Sequence, residues 1–170
     1  MIVYLADLSH DYLPTRQFVP LGIGFLASYA NSIFGEKVEF QLFKSTNELL
    51  NKCNACEPDL VGFANYTWNE RLNAFVGEKL KKSFPGLPII MGGPNIGIDG
   101  NSICKFLEKY SFVDAYCMHN GEVSFSNIIG RCLGNPTKEN RGEMLRSAPV
   151  PGTYSLFKGA LCGSPRDIKD

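Results

Sequence analysis

Five short apolar runs, at residues 1–6, 38–43, 60–64, 87–91 and 112–117, recur along the chain with longer amphipathic stretches between them. An apolar run without polar alternation reads as a strand covered on both faces, and strands spaced by helix-length segments pair in parallel through crossovers. The clearest helix spans 69–84, where Leu72, Phe75, Val76 and Leu80 share one face while Glu70, Arg71, Glu78, Lys79, Lys81 and Lys82 hold the other. Asn69 suits its N-cap and Pro85-Gly86 its stop. Residues 21–34 are apolar all round, predicting a more buried helix, with Pro20 suited to its first turn. A third helix is expected over 121–133, where Phe125, Ile128, Ile129 and Leu133 recur at helical spacing. The alternation predicts a doubly wound α/β domain with a five-stranded parallel sheet and helices on both faces.

In such a sheet a ligand sits outside the carboxyl ends of the strands, where strand order reverses. The segments at 7–19, 65–68, 92–97 and 118–122 are therefore the places to look. Beyond Gly134 the periodicity fails, and Asn135-Pro136, Pro149, Pro151-Gly152 and Pro165 lead to the expectation of an extended tail or linker over 135–170, toward a further domain.

Composition narrows the function. Seventeen Lys+Arg balance seventeen Asp+Glu, so no global field draws the chain to nucleic acid or anionic lipid. No run approaches the roughly 20 apolar residues that span a bilayer, and the N-terminus lacks the pattern of a secretion signal. The expected setting is cytoplasmic, with no nucleic-acid or membrane partner. The six cysteines are scattered, and the one close pair, Cys53 and Cys56, has no second pair or His cluster to complete a metal site, so free thiols are expected and no metal ligands. Gly22-Ile23-Gly24-Phe25-Leu26-Ala27 imitates a dinucleotide fingerprint, but it does not directly follow the first strand, as a pyrophosphate-binding turn must. A phosphoacceptor domain needs an acidic cluster at the strand ends to hold magnesium, and Asp7 stands alone there.

The fourth run ends in Gly92-Gly93-Pro94-Asn95, two glycines where a bulky group could slide against the sheet, or where the chain merely turns. Asn65-Tyr66-Thr67-Trp68 sets small polar groups beside the chain's one tryptophan, which serves equally well as a core anchor.

Taken in order, Val19-Pro20-Leu21-Gly22-Ile23-Gly24-Phe25-Leu26-Ala27, Glu57-Pro58-Asp59-Leu60-Val61-Gly62-Phe63, Ile89-Ile90-Met91-Gly92-Gly93-Pro94, Val113-Asp114-Ala115-Tyr116 and Asn120-Gly121-Glu122 resemble the N-terminal cobalamin-binding domain of cobalamin-dependent radical SAM enzymes. The resemblance covers residues 1–134, and residues 150–153 resemble the connector to a radical SAM barrel. It implies a flavodoxin-like fold holding cobalamin with its nucleotide base detached from cobalt. The base would thread into the sheet near Gly92 and Gly93, and the corrin would lie over the strand ends. Ser9, His10, Pro20, Leu21, Gly22, Asn65, Tyr66, Thr67, Trp68, Pro94, Asn95, His119, Gly121 and Glu122 are the further candidate contacts, Glu122 being equally suited to capping its helix. The DxHxxG signature of methionine-synthase-type domains is broken: Ser9 stands at the His position, Tyr12 at the Gly position, and His10 is displaced by one, so no protein histidine is expected beneath cobalt. These 170 residues hold no CxxxCxxC, so the 4Fe–4S cluster and S-adenosylmethionine are expected only in a C-terminal radical SAM domain of the same polypeptide. The chain by itself is expected to catalyse nothing, and the whole protein to methylate an unactivated carbon. The alternative is a cofactor-free docking or regulatory module.

Overall fold

Each apolar run contains a strand: β1 (Ile2–Ala6), β2 (Glu39–Phe43), β3 (Leu60–Ala64), β4 (Ile89–Gly92) and β5 (Ala115–Cys117). Five helices connect them or follow them: α1 (Leu21–Phe34), α2 (Thr46–Ala55), α3 (Glu70–Ser83), α4 (Gly100–Lys109) and α5 (Gly121–Leu133). The structure, a computed structural model, describes residues 1–10, 19–135 and 137–163. These five strands are parallel in the order β2-β1-β3-β4-β5, with β4 inside the sheet as the sequence predicts. Strand order reverses between β1 and β3, which opens a crevice at their carboxyl ends.

Alternate side chains of each strand feed two apolar layers. Val3, Leu5, Leu60 and Ile90 pack with Ile23 and Ala30 of α1 and with Phe125, Ile128 and Ile129 of α5. Tyr4, Val61, Ile89 and Met91 face Leu49, Val76, Leu80, Ile103 and Leu107 of α2, α3 and α4. Local chemistry starts the helices: the Ser45 hydroxyl accepts the Glu48 amide ahead of α2, and Asp99 accepts the Ser102 amide at the head of α4. Asn69 stands at the N-cap position of α3 without capping it; its Oδ1 instead accepts the Tyr66 amide at 2.8 Å.

Two expectations need correction. Among the described residues the sheet has seven strands, because residues assigned to a linker form α6 (Arg141–Ser147), β6 (Thr153–Phe157) and β7 (Ala160–Gly163). β6 pairs antiparallel with β5, and β7 with β6. Lys158 and Gly159 turn this hairpin, both at positive φ (50° and 79°), as a two-residue loop matched to strand twist requires. A short hairpin carries no helix-length spacing, so a search for the crossover rhythm passes over it. The second correction concerns α1, expected to be more buried. Ile23 and Ala30 are its buried residues, whereas Leu21, Phe25, Tyr29 and Ile33 are exposed. One stripe of α1 covers the sheet and α5, and no described element covers the opposite one.

Two buried carboxylates tie the C-terminal segment to the amino ends of the strands. Asp59 accepts the Ile2 amide at 2.8 Å and pairs with Arg141 at 2.9 Å and Lys138 at 2.7 Å. Burial pushes its carboxyl up, but the hydrogen bonds from Lys138, the Ile2 amide and Arg141 prevail and hold it below the ordinary 3.8. Asp114 likewise accepts the Ile89 amide at 2.7 Å and pairs with Lys81 and Arg146, each at 2.7 Å. Among the described residues, no helix is long and apolar enough to cross a membrane.

Candidate functional site

A cavity of about 550 Å³ opens at the carboxyl ends of β3, β4 and β5, on the face covered by α1 and α5. That volume falls in the range of small-molecule sites, roughly 300–1,000 Å³. Its sheet wall is Leu5, Gly62, Ala64, Ile90, Gly92 and Cys117. Three of those six positions are Gly or Ala, so the depth comes from side chains the sequence leaves out. A Cβ at Gly62 would lie 2.7 Å from Leu5 Cδ2 and 3.6 Å from Phe125, and one at Gly92 would lie 3.3 Å from Cys117. Gly22, Ile23 and Leu26 of α1 form one helical wall; Gly121, Glu122 and Phe125 of α5 form the other. Pro94, Ile96 and Ile98 close the side beyond β4, and His119 and Asn120 stand exposed at the mouth. His119 holds φ at 53°, an uncommon conformation for a residue with a side chain, where β5 turns into α5.

The wall beyond β4 is held by groups outside the cavity. The Asn65 amide donates to Gly92 O at 2.6 Å, and its side-chain nitrogen donates to Asn95 O at 3.0 Å and to the Tyr116 hydroxyl at 3.2 Å. Tyr116 in turn donates to Gly93 O at 2.8 Å. Gly93 has φ 128°, and a Cβ there would lie 2.5 Å from Asn65 O, so the two backbones cross where only glycine fits. The missing side chain of Gly93 therefore faces Asn65 backbone, whereas that of Gly92 faces Cys117 on the cavity side.

Of the residues singled out from sequence, Gly22, Tyr66, Gly92, Gly93, Pro94, His119, Gly121 and Glu122 line this cavity. Asn65 and Asn95 sit behind its wall, Asn95 donating to Glu70 Oε2 at 2.7 Å. Trp68, 59 % exposed, is not the core anchor its sequence also allowed. It stacks on Tyr66 with ring centroids 4.4 Å apart and planes 7° from parallel. Thr67 beside it is exposed. Pro20 and Leu21 open α1 outside the lining. Ser9 is buried toward the β2 side, its amide donating to Lys44 O at 3.0 Å, and His10 follows it outside the lining. Residues 11–18 of the long segment after β1 lie outside the described residues. The sequence reading missed Gly62, whose signal was a glycine inside an apolar strand, a mark of close approach. It also missed Ile23, Leu26 and Phe125, which read as ordinary core.

Two titratable side chains of the cavity are shifted toward their neutral forms. Burial pushes the Cys117 thiol up to about 12, so the wall carries no thiolate. Burial also raises the Tyr66 phenol, with Asp7 adding to the shift. The Asp7 carboxyl is itself raised by burial, against Lys44 and a hydrogen bond from Asn69 at 3.2 Å. Cys53 faces the core from α2, where burial pushes its thiol up to about 12, and Cys56 is exposed. Among the described residues, no three His, Cys, Asp or Glu side chains are grouped to hold a metal ion.

No family model matches the chain. It is 29 % identical over 125 residues to the cobalamin-dependent radical SAM methyltransferase TokK of Streptomyces tokunonensis, covering 69 % of this chain and 18 % of TokK. It is 24 % identical over 116 residues to a 2-(S-pantetheinyl)-carbapenam-3-carboxylate methyltransferase of Streptantibioticus cattleyicolor, 66 % of this chain and 17 % of that one. In fold it matches the cobalamin-dependent S-adenosylmethionine radical enzyme OxsB, solved with aqua-cobalamin and S-adenosylmethionine bound, at a TM-score of 0.68 and 18 % identity, over 98 % of this chain and 22 % of OxsB. That likeness runs past residue 134 into the C-terminal hairpin. The chain is thus similar in sequence to a cobalamin-dependent radical SAM methyltransferase, shares the fold of OxsB, and spans about a fifth of the length of each.

Proposed function

We propose that this domain binds cobalamin by drawing the nucleotide tail into the cavity between the sheet and α1/α5, with the corrin resting across the strand ends. One observation carries the reading: a largely apolar slot, floored by Gly62, Ala64 and Gly92, opens at the carboxyl ends of β3, β4 and β5. A planar aromatic base needs a slot with little side-chain bulk on its floor, and Gly62, Ala64 and Gly92 carry nothing larger than a methyl there. A whole corrinoid exceeds such a cavity, so its macrocycle must remain outside, over His119, Tyr66 and the exposed face of Trp68.

The residues present fit the group. Gly62 and Gly92 give clearance to the base, Ile23, Leu26 and Phe125 flank it, and His119 and Glu122 at the mouth offer polar partners to the amide side chains around the ring. Bound cobalamin would supply a carrier for a methyl group. The chain's own part is to hold the tail away from cobalt and to exclude water from the tail. By analogy with the relatives, the complete protein is read as a methyltransferase acting on an unactivated carbon. Its iron–sulfur cluster and S-adenosylmethionine belong to a radical SAM domain joined to this one.

Mixing the domain with hydroxocobalamin, desalting, and recording the visible spectrum tests the reading. Retained cobalamin is expected, with quenching of the fluorescence of Trp68, the chain's single tryptophan. Ala64 already carries a Cβ on the slot floor, so Ala64→Leu fills the slot without forcing the backbone. That variant is expected to keep its fold and to lose retention by at least roughly tenfold, about 1.4 kcal/mol. A wild-type domain that releases all cobalamin on desalting would leave the cofactor-free docking module as the better reading.

A further inference from the structure

Every group that fixes the far wall of the slot lies behind it. Gly93 and Pro94 line the cavity, but their segment wraps around Asn65, which is fully buried and absent from the lining. Tyr116 lies deeper still, on the opposite face of the sheet, where its ring packs edge-on against Phe106 at 5.3 Å. Its hydroxyl nonetheless reaches the strand ends, accepting from Asn65 at 3.2 Å and donating to Gly93 O at 2.8 Å. On the outside, Asn95 is tied to Glu70, which Lys109 and the Tyr110 hydroxyl also engage. Asn65, Tyr116 and Glu70 thus tie down from outside the cavity a turn, residues 92–95, whose Gly92, Gly93 and Pro94 line it, and Lys109 and Tyr110 hold Glu70 in turn.

We infer that Tyr116 and Asn65 are positioning residues for the nucleotide slot, preorganising its wall from behind and so setting how tightly the tail is held. The inference rests on the cobalamin reading and adds to it residues that touch no part of the cofactor. Asn65 was a candidate contact by sequence; its geometry makes it a brace instead. The physical basis is that a buried hydroxyl with two partners fixes a carbonyl direction, and a wall fixed before binding loses less conformational freedom on binding. Burial pushes the Tyr116 phenol up to about 12, so it stays a protonated donor throughout the working range.

Two corrinoids separate this role from a general effect on folding. Cobalamin carries the nucleotide tail, and cobinamide is the same ring without it. In Tyr116→Phe, introduced in the 170-residue chain, the cobalamin dissociation constant is expected to rise roughly three- to tenfold, mostly through a faster off-rate, the range that one hydrogen bond accounts for. Cobinamide affinity should stay unchanged, because cobinamide does not enter the slot. Glu70→Ala cuts the outer tie without opening the core, and should shift the same ratio in the same direction should Tyr116→Phe fail to fold. If both corrinoids weaken equally, or neither does, the positioning role is overturned while the cobalamin reading stands. If wild-type protein binds cobalamin no better than cobinamide, the slot assignment itself fails.

Discussion

Gly93 is where a single side chain decides whether the site can form. Its φ of 128° and the 2.5 Å from a would-be Cβ to Asn65 O combine a left-handed backbone with a steric block by main chain, which cannot rotate away. Gly93→Ala is therefore expected to cost about 2–4 kcal/mol in urea unfolding. Gly92→Ala should cost less, because its neighbours at 3.3 Å are on Cys117, which has only to yield by a few tenths of an ångström. Equal costs for the two would mean that the crossing with Asn65 is not the constraint. The doublet looked from sequence like a slot for a guest or like a turn, and it divides between the two: Gly92 opens the cavity and Gly93 makes the turn.

At the scale of elements, the inner parallel strands were legible because burial on both faces writes a short apolar run, whereas the edge strand β2 mixes Glu39 and Gln41 with its apolar residues and leaves Leu42 exposed. The rim segments were legible as places, since topology alone puts them at the carboxyl ends. Their individual roles were not. Whether Asn65 points into a cavity or behind its wall depends on Tyr116, which is 51 residues away in sequence and reads as plain strand. The exposed stripe of α1 was equally hidden, because an all-apolar helix pattern does not say which side is covered. The segment after β1 raises the same question for cobalt. Ser9 is pinned by its amide to Lys44 O on the β2 side, and its neighbour His10 lies outside the cavity lining. The broken DxHxxG signature, not the position of His10, is what leads the cobalamin reading to expect no protein histidine bonded to the metal. The electron spin resonance spectrum of the bound Co(II) state should show no nitrogen splitting; a nitrogen triplet that disappears in His10→Ala would assign the ligand to His10.

For the whole molecule the consequential question is where the folding unit ends. The domain resemblance covers residues 1–134, yet the segment beyond it supplies Arg141 to Asp59, Arg146 to Asp114, Leu145 and Val150 to the α1/α5 layer, and β6 to the open edge of β5. Asp59 and Arg141 are both below a tenth exposed, so removing the arginine leaves a carboxylate with much of its desolvation uncompensated. Breaking one such pair costs about 3–5 kcal/mol, against a total stability of roughly 5–15 kcal/mol for a domain of ordinary size. The loss of Leu145, Val150 and the β5–β6 pairing adds to that cost. A chain ending at Gly134 is therefore expected to be largely unfolded at 25 °C by circular dichroism and to retain no cobalamin, whereas one ending at Gly163 should melt cooperatively. Asp59→Asn placed in the shorter chain separates the causes: it should recover part of the lost stability if the orphaned charge is responsible. Should the chain ending at Gly134 fold and melt like the longer one, the hairpin and α6 would be an appendage, and the folding unit would end where the motifs do.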